Sequence, residues 1–191
     1  DLFVATKADK SDGRDATLAQ MAESSRRLRT DKFELMQVHN LRGWREALAA
    51  MREWKQEGRI RYIGVTTSRE QQYEEFERVM REEELDFIQI NYSLGEREAD
   101  KRLLPLAQDM GIAVLINRPY QAGRLFRAVA GRELPAWAAG FAASWGQFFL
   151  KFIISHPAVT CVLTETANPD HALDNLGAAF GALPDETMRR R

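Results

Sequence analysis

Lys7 and His39 stand near the ends of two short β-prone runs, residues 2–6 and 33–38. A lysine can hold a positive charge, and an imidazole can give or take a proton near neutral pH. Every later β-prone run also ends in groups able to hydrogen-bond. These ends are Gln37 and Asn40 beside His39, then Thr66, Thr67 and Ser68, then Gln89, Asn91 and Tyr92. Asn117, Arg118 and Tyr120 follow, and Thr164, Glu165 and Thr166 close the series. Strand ends are often polar because they reach water, so the row by itself carries little weight. One cation and one imidazole on neighbouring runs sharpen it into a place that could bind a polar ligand and handle a proton.

The elements that would position these groups alternate along the chain. Leu18, Met21, Ser25 and Leu28 mark one helical face, and Trp44, Ala47, Leu48, Met51 and Trp54 another that Gly58 can stop. The stretch EGRIRYIGVTTS, residues 57–68, then switches from helix to a strand at 62–66. Ser68 with Gln71 suggests a capping box for a helix buried through Tyr73, Phe76 and Met80. A strand at 87–92, a helix through Ala99, Leu103, Ala107 and Met110 ended by Gly111, and a strand at 113–117 come next. Residues 118–135 read as a longer loop, 137–155 as an apolar helix and 159–163 as a strand. Asn168-Pro169 looks like an N-cap and first-turn proline, and Gly177 like the matching C′ residue.

Six strand-then-helix units joined by short loops demand parallel strands, in a doubly wound sheet or a (β/α)8 barrel. The even rhythm and the lack of any G-x-G-x-x-G turn favour the barrel. In a barrel the chemistry sits where strands end, so Thr66, Thr67 and Ser68 fall on the active face. Residues 1–191 read as a single, incomplete domain of this kind.

Composition narrows the function classes. The 27 Lys and Arg nearly cancel 28 Asp and Glu, so no strong field draws the chain to nucleic acid or an anionic membrane. Arg189 to Arg191 read as a frayed basic end. The apolar run 148–154 is interrupted by Lys151 and is too short to span a bilayer. The single cysteine, Cys161, excludes an intrachain disulfide and suits a reducing compartment; mid-strand, it reads as a small buried apolar residue. No metal-ligand spacing occurs. His156 and His171 read as structural or solvated, and the four tryptophans as packing residues.

Six stretches together resemble the aldo-keto reductases: VATK at 4–7, LMQVHN at 35–40, EGRIRYIGVTTS, IQINYSL at 88–94, INRPYQAGRLF at 116–126 and NPDHALDNLGA at 168–178. The NRP form of the fifth is similar to a bacterial branch of that family. The resemblance implies a (β/α)8 barrel, represented by roughly its third to eighth strands, that reduces a small aldehyde or ketone with NADP(H) or NAD(H). Lys7 and His39 match the family's catalytic lysine and histidine. The resemblance implies cofactor contacts at Thr66, Thr67 and Gln89 on the carboxamide side and at Arg118 toward the pyrophosphate. Pro119, Gly123 and Leu125 match the loop that closes over it, and Thr164, Thr166 and Asn168 the phosphate turn. Asp174 and Asn175 match the acidic-Asn pair near the adenosine. No Lys or Arg lies between Thr164 and Asn175, so a partner for the 2′-phosphate of NADP is not evident. The family's aspartate and acid tyrosine precede the stretch matched here, which leads to the expectation of about 60–70 further residues upstream, two βα units. It also leads to the expectation of an inactive chain without them. A cytoplasmic location is expected, oligomeric state is open, and a non-catalytic, barrel-derived cofactor-binding or regulatory protein is the competing class.

Overall fold

The computed structural model describes residues 2–9 and 12–190. Its strands are β1 (Ala5–Ala8), β2 (Phe33–Val38), β3 (Ile60–Thr66), β4 (Phe87–Asn91), β5 (Ala113–Asn117) and β6 (Val159–Val162). They form one parallel sheet of six strands whose order follows the chain. A doubly wound sheet would reverse direction at a switch point; this order never reverses, which is the winding of a barrel. The chain falls into two compact units, Asp1–Gln89 and Ile90–Arg191.

In the first unit the helices are α1 (Arg14–Leu28), α2 (Trp44–Gln56) and α3 (Tyr73–Glu82). Strand register explains which side chains share a face. Lys7 lies opposite Gln37, Gln37 opposite Gly64, and Thr66 opposite Gln89. Because side chains alternate along a strand, these five residues project from one face. Ala8, Val38, Val65 and Ile88, all buried, occupy the other. Lower on the first face, Tyr62 and Phe87 pack with ring centroids 5.4 Å apart, and Phe3 joins them. That face therefore runs from aromatic at the strand starts to polar at the strand ends. Gly64 has a steric reason for being there: a Cβ would lie 2.3 Å from the carbonyl oxygen of Phe87.

Two local expectations change in this unit. β1 runs 5–8 rather than 2–6, so Lys7 lies within the strand, while Leu2 is 85% exposed ahead of it. No capping box forms at Ser68; a 3-10 turn at Glu70–Gln72 leads into α3 instead, because the side chain of Gln72 is drawn to the carbonyl of Asn40. Gly58, at φ 72, does terminate α2 as expected.

The second unit holds α4 (Leu103–Met110), α5 (Arg124–Ala128), α6 (Trp145–Ile154), α7 (Pro169–Gly177) and α8 (Glu186–Arg189). The single helix expected over 137–155 divides into a 3-10 turn at Ala136–Ala138 and α6. The cause is Ser144, whose hydroxyl accepts the N–H of Gln147 at 3.0 Å and so starts a new helix there. α5 falls inside the expected loop. Asn168 and Pro169 open α7 as expected, but Gly177 is the last helical residue and not a left-handed C′ residue. Glycine is needed there for closeness, since a Cβ would sit 2.6 Å from Nε2 of Gln147. Cys161 is exposed, not buried, because nothing among the described residues covers the middle of β6, where Thr160 is exposed beside it. Lys151, which breaks the apolar run, is 1% exposed and donates to the carbonyls of Phe180 and Ala182.

Arg189 is no frayed end. It donates to the hydroxyls of Tyr92 at 2.8 Å and Ser155 at 2.7 Å, and it covers the Phe152 ring. Tyr92 donates in turn to Asp100, which also meets Arg97 at 2.9 Å and Nε2 of His156 at 3.3 Å. Burial pushes the Asp100 carboxyl up, but the hydrogen bonds from His156, Arg97 and Tyr92 outweigh it and hold it at about 2. Burial also raises the Tyr92 hydroxyl to about 12. A depressed carboxylate stabilises the fold above its unfolded value, and that contribution disappears as pH falls through the folded value. Asp100→Asn is thus expected to lower the urea midpoint at pH 7, with the gap from the parent closing between about pH 4 and pH 2. A gap that persists unchanged at pH 2 would show that charge on Asp100 is not what stabilises the network.

Candidate active face and pocket

The chain turns sharply after β2. His39 to Leu41 form a single 3-10 turn in which Asn40 and Leu41 both adopt left-handed backbone, at φ 52 and 56. Such conformations cost about 1–3 kcal/mol and persist where the surroundings over-determine them. Here the surroundings are the residues after β3. Thr66 Oγ1 accepts the backbone N–H of Asn40 at 3.0 Å, and the N–H of Ser68 donates to Oδ1 of Asn40 at 3.2 Å. Gln72 donates to the carbonyl of Asn40 at 3.0 Å and accepts the hydroxyl of Thr67 at 2.6 Å. The three hydroxyls of VTTS therefore grip the His39 turn. That answers why a strand ends in such a run.

His39 is held from two sides. Its Nδ1 lies 2.9 Å from Oδ1 of Asp9, and its Nε2 lies 3.2 Å from the side-chain nitrogen of Asn40. Arg42 closes on the Asp9 carboxylate at 3.1 Å. Lys7, half-buried two residues before Asp9, has its ammonium pKa lowered by burial. On the same sheet face as Lys7, Gln37 is 1% exposed and Gln89 is 6% exposed. Nε2 of Gln37 and Oε1 of Gln89 are buried with no hydrogen-bond partner among the described residues. A buried polar atom left unpaired is costly, so a matched donor and acceptor on one face suit a ligand that carries both. Asp9, Gln37 and Arg42 were not among the residues singled out for function in the sequence. Asp9 and Arg42 act through contacts that bring distant segments together, and Gln37 looked like one polar strand end among many.

The second unit contributes a cavity of about 560 Å³ lined by Tyr120, Phe126, Trp145, Glu165, Thr166, His171, Asp174 and Asn175 among others. Of the residues expected to bind ligand, Thr166, Asp174 and Asn175 line it, whereas Arg118, Pro119, Gly123, Leu125, Thr164 and Asn168 do not. Asp174 accepts from Ser144 at 2.6 Å and Gln147 at 2.9 Å, which ties α7 to the start of α6. Asn175 accepts the hydroxyl of Tyr120, whose pKa is raised by burial and by Asp174. Asn168 caps α7 by accepting the N–H of Asp170 at 2.9 Å, Leu125 is a core residue, and Gly123 precedes α5 at φ 81. Arg118, exposed, opens a loop with left-handed backbone at φ 53, repeated at Gln121 and Ala122. Among the described residues, no three or more His, Cys, Asp or Glu are grouped to hold a metal, and no helix is long and apolar enough to cross a membrane.

A model of the aldo/keto reductase family matches residues 1–190. The NADH-specific methylglyoxal reductase of Escherichia coli (strain K12) is 30% identical over 129 residues, which cover 62% of this chain and 37% of that protein. The oxidoreductase YqkF of Bacillus subtilis (strain 168) is 25% identical over 217 residues, covering 94% of this chain and 69% of that one. Among solved structures, an aldo/keto reductase from Klebsiella pneumoniae in complex with NADP and acetate has a TM-score of 0.81 at 24% identity, covering 98% of this chain and 67% of that chain. The holo form of AKR11C1 from Bacillus halodurans has a TM-score of 0.79 at 23% identity, covering 100% and 70%. At such identities the structures show a shared fold, that of aldo-keto reductase barrels, of which this chain supplies a six-stranded part. The chain spans little more than a third of the first curated relative and about seven-tenths of these solved chains.

The hold on the His39 turn is open to measurement. Thr66 is 2% exposed, and Thr66→Val would strand the Asn40 N–H it accepts. The expected cost is about 1–3 kcal/mol, read as a lower urea midpoint, with Thr66→Ser restoring most of it. Equal stability of the valine variant and the parent would mean that this hydrogen bond contributes nothing.

Proposed function

The chain belongs to the aldo/keto reductase family, and on that premise we propose that it carries part of an NADP(H)-dependent oxidoreductase that reduces aldehyde or ketone groups by hydride transfer. The observation that carries this reading is the pair of unpartnered amide atoms, Gln37 Nε2 and Gln89 Oε1, on the sheet face that also bears Lys7. A nicotinamide carboxamide offers both an acceptor and a donor, so the residues present fit it. Gln89 would accept from the amide, with Thr66 opposite it in register and Thr67 donating its N–H to the Gln89 carbonyl at 3.0 Å. The cofactor, when bound, supplies the hydride. What the protein must add is charge stabilisation and a proton at the carbonyl oxygen. Lys7 brings a positive charge that burial leaves under-solvated, and His39 brings a hydrogen-bonding nitrogen held in place from two sides.

Within the second unit, the same reading assigns Arg118 to the pyrophosphate and Pro119, Gly123 and Leu125 to the loop beside it. It assigns Thr164, Thr166 and Asn168 to the phosphate turn, and Asp174 and Asn175 to the adenosine side. The pocket bearing Thr166, Asp174 and Asn175 is lined by two carboxylates, Glu165 and Asp174, and by no Lys or Arg. That lining gives a 2′-phosphate no cation, and the similar protein from Escherichia coli is by name NADH-specific. A non-catalytic, cofactor-binding or regulatory role draws support from one fact: Asp174 and Asn175 are already engaged by Ser144, Gln147 and Tyr120.

Calorimetric titration with NADPH and NADH tests the reading. Gln89→Ala is expected to weaken binding by roughly 0.5–1.5 kcal/mol, a few-fold to about tenfold in dissociation constant. Unchanged affinity would remove Gln89 from the site, and binding without oxidation of NADPH by a broad panel of aldehydes, in a chain extended by the expected upstream residues, would favour the non-catalytic role. The two cofactors should also differ less than a charge-assisted phosphate contact of about 1.5–3 kcal/mol would make them differ. A strong preference for NADP(H), a hundredfold or so, would mean that a cation such as Arg118 or Arg124 reaches the 2′-phosphate.

A further inference from the structure

We propose that Asp9 is a positioning residue for His39, and that it decides which ring nitrogen carries the exchangeable proton. The inference rests on His39 acting at the reacting group as read above. An ionised carboxylate only accepts, so the nitrogen 2.9 Å from Asp9 Oδ1, Nδ1, must carry a hydrogen. The group 3.2 Å from Nε2 is the amide nitrogen of Asn40, which only donates, so in the neutral ring Nε2 is an acceptor. Both contacts select one tautomer, Nδ1–H. When the ring takes a second proton, Nδ1 is already committed, and the new N–H stands on Nε2 once the Asn40 amide gives way. Asp9 thereby directs the exchangeable proton to the far side of the ring, where it can be donated.

The geometry makes Asp9 a suitable anchor. Its backbone N–H donates to Oε1 of Gln20 in α1 at 2.8 Å, and Arg42 approaches its carboxylate at 3.1 Å. Asp9 and Asn40 hold the His39 ring, and Arg42 meets the Asp9 carboxylate. Asp9 also follows Lys7 by two positions, so one short segment sets both the cation and the imidazole. His39 and Asp9 side chains are each 40% exposed. An ion pair that open to water contributes little to stability, so direction, not strength, is what the carboxylate supplies.

Nitrogen-15 long-range correlation spectra of the labelled chain, recorded at alkaline pH, read the tautomer of each ring. The parent should show His39 as Nδ1–H. His156 serves as an internal control with the opposite form, because its Nδ1 accepts the Ala158 N–H at 3.1 Å and its Nε2 faces Asp100. Asp9→Ala should lose the Nδ1–H signature of His39 and shift it toward Nε2–H, the form favoured by a histidine ring in water, while His156 stays unmoved. Asp9→Asn, whose amide oxygen still accepts, should keep Nδ1–H, and Asp9→Glu should restore it. A parent His39 in the Nε2–H form, or an Asp9→Ala chain indistinguishable from the parent, overturns the proposal. Loss of the His156 signature as well would report unfolding, and the decision then passes to the parent and Asp9→Asn spectra. The spectra need no cofactor, so failure of the carbonyl-reduction reading appears in the cofactor titrations and aldehyde assays and leaves the tautomer result standing.

Discussion

The register of β1 to β4 is the constraint on which the first unit depends. Parallel pairing places Lys7 and Gln37 at one level, and Thr66 and Gln89 two residues further along the same face, and a one-residue slip in any strand would turn its polar residue to the apolar side. Gly64 allows that register, because no side chain fits between β3 and the carbonyl of Phe87. Polar groups can be tolerated on a buried face only if something satisfies them. Thr66 is satisfied by the Asn40 N–H, whereas Gln37 Nε2 and Gln89 Oε1 have no partner among the described residues.

The turn after β2 shows how backbone strain is held in this unit. Two left-handed residues in succession would not persist alone. They persist because Thr66, Thr67, Ser68 and Gln72 leave Asn40 almost no other arrangement, and Asn40 then fixes one side of the His39 ring. The hydroxyls after β3 thus reach the His39 ring through the backbone of the neighbouring turn.

The second unit uses a comparable device around Asp174. One carboxylate receives Ser144 and Gln147, and so joins α7 to the first turn of α6. Gly146 and Gly177 permit the approach: a Cβ at the first would lie 2.7 Å from Asp174, and at the second 2.6 Å from Gln147. The rings of Tyr120 and Phe126, which line the cavity, pack on Phe149 behind them in tilted and edge-on contacts.

Periodicity and punctuation in the sequence were enough to reveal the strand-helix rhythm, because side chains alternate every two residues in a strand and every 3.6 in a helix whatever the surroundings. The strands at 33–38 and 113–117 match that reading to the residue, as does the opening of α7 at Asn168 and Pro169. Lys7, His39 and Gln89 were visible for the same local reason, as polar residues closing apolar runs. What the sequence could not contain was partnership. Whether Asp9 meets His39, 30 positions away, or Asn175 meets Tyr120, 55 positions away, depends on register and helix packing. The anchoring of Arg189 is likewise decided by what lies beside it, since Tyr92, Phe152 and Ser155 enclose it. Local chemistry is written residue by residue; contact energy belongs to pairs that only the folded chain brings together.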